Sequence, residues 1–161
     1  MTQRQIVLFG TYDTSLHPRV AVLRDGLASV TDVIEVNEQL GLSTADKVDA
    51  ASSPMGALKL ARAVIGSWRG LWRDSRGVPS PDLVVVGYLG HFDVHLARRR
   101  WPDAEIVLDH MVGLADTARD RQVATGLKYR LLDLVDRAAL RRADAVAVDT
   151  EEQVAQLPPG A

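Results

Sequence analysis

Three short stretches gather the side chains of this chain that are able to do chemistry. The densest is Asp109-His110-Met111-Val112-Gly113-Leu114-Ala115-Asp116, which follows the apolar run Ile106-Val107-Leu108. An imidazole directly behind a buried run titrates near neutrality, so His110 can hold a sugar hydroxyl or a phosphate, or exchange a proton. The second stretch, Gly87-Tyr88-Leu89-Gly90-His91-Phe92-Asp93-Val94-His95, has two glycines that allow close backbone approach, at Gly87 and Gly90. His91 and His95 stand four residues apart like a metal pair, but neither an H-E-x-x-H pattern nor a third ligand accompanies them, and no metal is expected. The third stretch runs from Gly10-Thr11 to His17-Pro18-Arg19. It lacks G-x-G-x-x-G and a P-loop lysine, yet its glycine, its hydroxyls and Arg19 in a first helical turn suit an anion.

Each stretch also has a plain structural explanation. The first loop can be a strand-to-helix turn capped by Thr or Ser, and His110 can serve an internal hydrogen bond. Asp116, Arg119, Asp120 and Arg121 can pair with one another on the surface, where such bridges contribute little. Position is what favours function, so the elements that set position matter.

Ile6-Val7-Leu8-Phe9, Leu83-Val84-Val85-Val86 and Ala145-Val146-Ala147-Val148 are continuous apolar runs, as expected of strands covered on both faces of a parallel sheet. Residues 32–36 and 105–108 add two more strands. Helical patterns alternate with them: one opens at Pro18, and one at Pro54 carries the stripe Leu58, Ala61, Ile65, Trp68 and Leu71/Trp72. A third spans His91 to Trp101, and a fourth carries Leu127, Leu131, Leu134/Val135 and Ala138. A fifth opens at the capping box Thr150-Glu151-Glu152-Gln153. The pattern predicts an α/β fold, a Rossmann-like three-layer α/β/α sandwich with a mostly parallel sheet of about five strands, its functional loops outside the carboxyl ends of the strands. Residues 37–53 form a long connection that is either mobile or holds a short extra element.

The chain's 161 residues suit one domain with a core of its own. With 19 Lys and Arg against 21 Asp and Glu, the net charge of -2 offers no general attraction to nucleic acid. There is no cysteine, which excludes disulfides and thiolate metal sites. The apolar run near the start is too short for a signal sequence or a membrane span, so a cytoplasmic chain is expected. The second helix adds one qualification. Arg62, Arg69 and Arg73, with Lys59 and Arg76, adjoin the stripe of Trp68 and Trp72, a composition that suits peripheral contact with an anionic inner membrane face. The competing account is a core-packed helix with a solvated basic edge.

Taken in order, Ile6 to Tyr12 with His17-Pro18-Arg19, the run Pro81 to Gly87, the loop from Asp109-His110, and Arg142-Ala143-Asp144-Ala145-Val146-Ala147-Val148-Asp149-Thr150 resemble the amino-terminal half of a retaining, group-1 (GT4-like) glycosyltransferase of GT-B fold. The likeness spans nearly the whole chain. It implies an acceptor-binding domain, 1–157, with residues 158–161 beginning a linker to a donor-binding domain, so that the isolated chain is inactive. It implies a nucleotide-sugar donor, held mainly by that other domain, an acceptor of unspecified identity, and no cofactor. By the same resemblance Gly10 and Thr11 face the donor phosphates with Arg19 nearby, and His110 is the catalytic-cleft histidine that touches the transferred sugar. Gly90, His91, Asp109 and Asp116 complete the expected substrate-binding set, with His91 the rival occupant of the cleft. The alternative is a stand-alone α/β ligand-binding or regulatory module. A receiver-like version is disfavoured, because Gly10-Thr11 replaces the acidic cluster that magnesium would need and no lysine follows the last strand.

Overall fold

The computed structural model describes residues 4–40, 54–111, 113–120 and 126–157. The expected linker at 158–161 and the connection at 41–53 lie outside these residues. The described chain runs β1 (Ile6–Gly10), α1 (Pro18–Ala28), β2 (Val33–Asn37), α2 (Pro54–Asp74), a 3-10 turn (Ser75–Gly77), β3 (Leu83–Val86), α3 (Asp93–Arg100), β4 (Glu105–Asp109), α4 (Leu114–Asp120), α5 (Gly126–Leu140), β5 (Ala145–Ala147) and α6 (Glu151–Gln156).

All five strands are parallel, in the order β2-β1-β3-β4-β5. Right-handed crossovers explain the two layers of helix around them. From β1 the chain passes to β2 on one side and then returns past β1 to β3 and onward, so α1 covers one face while α2 and α3 cover the other. The strands show this division by alternation. Val7, Phe9, Val84, Val86, Ile106 and Leu108 point into the larger core, against Leu71 of α2, Val94 and Ala97 of α3 and Leu140 of α5. Ile6, Leu8 and Val85 point the other way, onto Val20 and Leu27 of α1 and the ring of Tyr12. Trp101 closes the larger core, edge-on to Phe9 at 5.5 Å between ring centroids. The α/β/α architecture and the parallel sheet are those read from the apolar runs.

Three details depart from that reading. A helix, α4, occupies 114–120 where only a loop is expected. Helix α3 begins at Asp93, so His91 precedes it and does not share a helical face with His95. The expected stripe of α2 is also divided: Leu71 is fully buried and Trp68 partly, whereas Leu58 and Ile65 are each 47% exposed. The cause is length, since 21 residues of helix extend about 32 Å while a five-residue strand extends about 17 Å, so the amino-terminal turns of α2 have no sheet beneath them. Leu127, Leu131 and Leu134 of α5 are exposed as well, and only the carboxyl end of α5 reaches the core.

Candidate functional site at the carboxyl rim

In sheets of this order, β1 and β3 send their chains to opposite faces, which opens a crevice at their carboxyl ends. Gly10, Thr11, Gly90, His91, Asp109 and His110 all belong to this rim, at or just after the ends of β1, β3 and β4.

The β1 end is held by Asp93. Its Oδ2 accepts from the Thr11 amide and from Thr11 Oγ1, both at 2.8 Å, and its Oδ1 accepts from Trp68 Nε1 at 2.8 Å. Gly10 has φ 149°, and a Cβ there would meet Asp93 Oδ2 and the Tyr12 ring at 3.2 Å, so conformation and space both call for glycine. The hydroxyl of Thr11 is thus engaged in shaping the loop. Tyr12 is buried and donates to Glu35 at 2.9 Å; burial, and then the neighbouring carboxylate, push its phenol far above the usual range.

The β3 exit turns tightly through Leu89, at φ 60°, into Gly90. A Cβ on Gly90 would lie 2.3 Å from Val86 Cγ1 and 2.7 Å from the Gly87 carbonyl, so this glycine serves packing. Its effect is to turn His91 inward, where the side chain is only 3% exposed.

His91 and His110 meet edge to face with ring centroids 5.2 Å apart. Asp136, from α5, lies beside them, its Oδ1 3.3 Å from His91 Nε2. That contact is close enough for an ion pair but is not aligned as a hydrogen bond, and both His91 nitrogens lack a hydrogen-bond partner. Burial, reinforced by His110, lowers the His91 pKa to about 4, so at neutral pH the ring is uncharged and the contact is dipolar. Burial also lowers the pKa of His110, against the opposing pull of Asp136, Asp109 and Asp116. Desolvation raises the pKa of Asp136, although two amides at the start of α4, Leu114 N at 3.0 Å and Ala115 N at 2.9 Å, donate to it. Gly113 leaves room for that carboxyl group, since a Cβ would stand 3.1 Å from Asp136 Oδ2.

Arg19 crosses the crevice. Its Nε donates to Asp109 Oδ1 at 2.7 Å and its Nη1 contacts Asp149, joining α1 to the ends of β4 and β5. The remaining oxygen of Asp109, Oδ2, is buried without a partner, as are His110 Nδ1 and Asn37 Oδ1 at the end of β2, which join the two His91 nitrogens on this rim. Asp116 stands apart on the first turn of α4, half-exposed and paired with Arg119 at 2.9 Å.

The rim therefore brings together Gly10, Thr11, Arg19, Gly90, His91, Asp109 and His110, with Asp116 at its edge. Sequence reasoning passed over Asp93, Asp136 and Asn37. An acidic residue opening a helix is a usable signal for Asp93, whereas nothing local marks Asp136, which lies in the middle of a helix 26 residues beyond His110. No group of three His, Asp or Glu side chains among the described residues is arranged to hold a metal ion. Chemically, the arrangement offers the partly exposed ring of a neutral His110 to hydroxyl groups, with the buried Asp109 carboxyl group behind it and a guanidinium alongside whose charge is already shared by two carboxylates. Comparison with protein-family models, curated proteins and solved structures finds no match for this chain.

Proposed function

We propose that this chain is the acceptor-side domain of a retaining glycosyltransferase, one that moves a sugar from a nucleotide-sugar to an acceptor in a crevice closed by a second domain. The observation that carries this reading is the set of buried, unpartnered polar atoms on one rim, His110 Nδ1 and Asp109 Oδ2 above all. A buried polar group without a partner costs free energy, so such atoms gathered beside a crevice mark where a polyhydroxylated ligand would restore the missing bonds once the side chains turn toward it. A neutral His110 presents a hydrogen-bonding nitrogen to the transferred sugar without a charge that would need a counter-ion. The departing nucleoside diphosphate gains negative charge, which amide donors at the Gly10 loop and cations of the facing domain would stabilise. Same-face displacement then asks for positioning more than for a protein nucleophile.

The test is transfer from UDP- and GDP-sugars by the complete reading frame, comparing the parent with His110→Ala. Loss of about 100-fold or more in turnover is expected, the scale of removing one preorganised transition-state contact. Unchanged turnover with unchanged melting temperature removes His110 from the site. One observation favours a second reading, a ligand-binding module without catalysis: Arg19 is already neutralised by Asp109 and Asp149, so among the described residues of the rim this guanidinium is not free for a phosphate. Saturable sugar binding by a frame that transfers nothing would select that module.

A further inference from the structure

The exposed side of α2 carries two parallel rows at seven-residue spacing. Leu58, Ile65 and Trp72 form one, and Arg62 and Arg69, continued by Arg76 in the 3-10 turn that follows the helix, form the other, each arginine four residues beyond an apolar neighbour. Seven residues are nearly two helical turns, so each row is almost straight and the two lie side by side. Leu58 and Ile65 are 47% exposed, Trp72 is half-buried, and the three arginines are exposed. Between the rows, Ile65, Trp72, Arg69, Arg73 and Arg76 line an open groove of about 410 Å³ over Trp68. From Pro54 to Arg73 the helix contains no acidic residue. Its single acid, Asp74, is bound to Arg73, which also reaches Glu38, while Lys59, Arg62, Arg69 and Arg76 make no ion pair among the described residues.

We propose that this face is a docking surface for an anionic phospholipid bilayer. The arginine row would lie at the phosphate level, with Leu58, Ile65 and Trp72 entering the headgroup boundary. Charge decides between this occupant and the other natural one, a second copy of the chain. Leu58, Ala61, Ile65, Trp68 and Trp72 have heptad spacing, but a symmetric antiparallel pairing would set the arginine row of one copy against the arginine row of the other. A nucleic acid would satisfy the arginines while leaving the apolar row in water. An anionic bilayer satisfies both rows at once.

Not every residue of the basic and aromatic stripe takes part. Trp68 is turned inward to Asp93, and Arg73 is tied to Asp74 and Glu38. Leu58 and Ile65, which sequence reasoning assigned to covering the sheet, take part instead.

The experiment is co-sedimentation of the chain with vesicles of phosphatidylcholine alone and of phosphatidylcholine with phosphatidylglycerol. Binding to the anionic vesicles only is expected, weakening with added salt. Removing three arginine charges by Arg62→Gln, Arg69→Gln and Arg76→Gln together should lower partitioning on the order of 100-fold, about fivefold for each. Leu58→Ser with Ile65→Ser should also release the chain, while replacing the three arginines by lysine should retain it. Tryptophan emission should shift to the blue on binding, and Trp72→Phe should remove that shift. Because the altered arginines, Leu58 and Ile65 are exposed and Trp72→Phe keeps an aromatic ring in its half-buried place, far-UV circular dichroism of each variant should match the parent. No partitioning, equal partitioning onto both vesicle types, or indifference to the Gln triple variant would overturn the proposal. So would a dimer in sedimentation equilibrium that Ile65→Ser dissociates and anionic lipid does not, or DNA retention that ignores the serine pair.

Discussion

Asp93 is the most connected polar group of the rim, and its replacement by Ala tests how that rim is held. The carboxyl group is 3% exposed and receives three hydrogen bonds, two from Thr11 and one from Trp68. Stranding a buried donor costs about 1–3 kcal/mol. Thr11 and Trp68 are both only partly buried, so each of the three donors belongs toward the low end of that range. Together these give about 3–5 kcal/mol for Asp93→Ala, a large part of the 5–15 kcal/mol typical of a domain. Asp93→Asn keeps one acceptor oxygen and the shape of the side chain, and should cost about half as much. The assay is urea unfolding of the parent, Asp93→Ala, Trp68→Phe and the double variant, with equal denaturant slopes as the sign of a like-for-like comparison. Trp68→Phe should cost about 1–2 kcal/mol in the parent and much less once Asp93 is gone. A cost below about 1 kcal/mol for Asp93→Ala, or the same cost of Trp68→Phe in both backgrounds, would refute the reasoning.

Acidification should act through His91. Its folded pKa of about 4 lies below the unfolded value of 6.5, so the unfolded chain binds the extra proton and stability falls as pH drops through 6.5, levelling off below 4. Between pH 7 and about 5 the loss from this group is about 2 kcal/mol; His110 adds loss of the same sign, while Asp136, raised, works in the opposite direction. Urea midpoints for His91→Asn should show a shallower pH dependence, and an unchanged slope would show that His91 does not titrate as described. Gly90→Ala should destabilise by about 1–3 kcal/mol by overpacking, since its methyl meets a backbone carbonyl, and a neutral result in thermal melts would mean that the turn opens freely. Tyr12→Phe should leave the tyrosinate absorbance gained up to about pH 11 unchanged, because this buried phenol does not ionise in that range; a drop of one tyrosine's amplitude would place it in water.

The strands were the most legible part of the chain. Runs such as Leu83-Val84-Val85-Val86 have no polar alternation, and only a sheet covered on both sides accommodates them. Element ends moved by a residue or so, as at β2 and β5, because hydrogen-bond register and not side-chain type decides where pairing stops. Helix α4 was hidden for a different reason. Leu-Ala-Asp-Thr-Ala-Arg-Asp is only seven residues long and buries two alanines, Ala115 and Ala118, too weak a stripe to read, and the group that satisfies its first amides is Asp136, more than 20 residues further along. The rim was legible as a location, since topology assigns it, and the histidines and Asp109 follow from that assignment. Which groups orient them was not: Asp93 reaches back 82 residues to Thr11, a distance in sequence that only folding closes. The division of α2 was missed because a periodic stripe says which side of a helix is apolar, but not how far along its length a sheet lies beneath.

The order of the strands has a consequence for how the chain is made. β1 leaves the ribosome before the other four strands yet ends in the interior, with β2 on one flank and β3 on the other, and β3 begins only at Leu83. Until then its Ile-Val-Leu-Phe segment lacks one lateral neighbour and most of the lid beneath which it finally rests. Parallel pairing offers no hairpin shortcut, so every strand contact waits for a crossover to be synthesised and docked. The nascent chain thus carries a sticky, half-protected edge until the segment from Leu83 onward has been made and docked, the stage at which slowing the ribosome or supplying a chaperone would most change the yield of native protein.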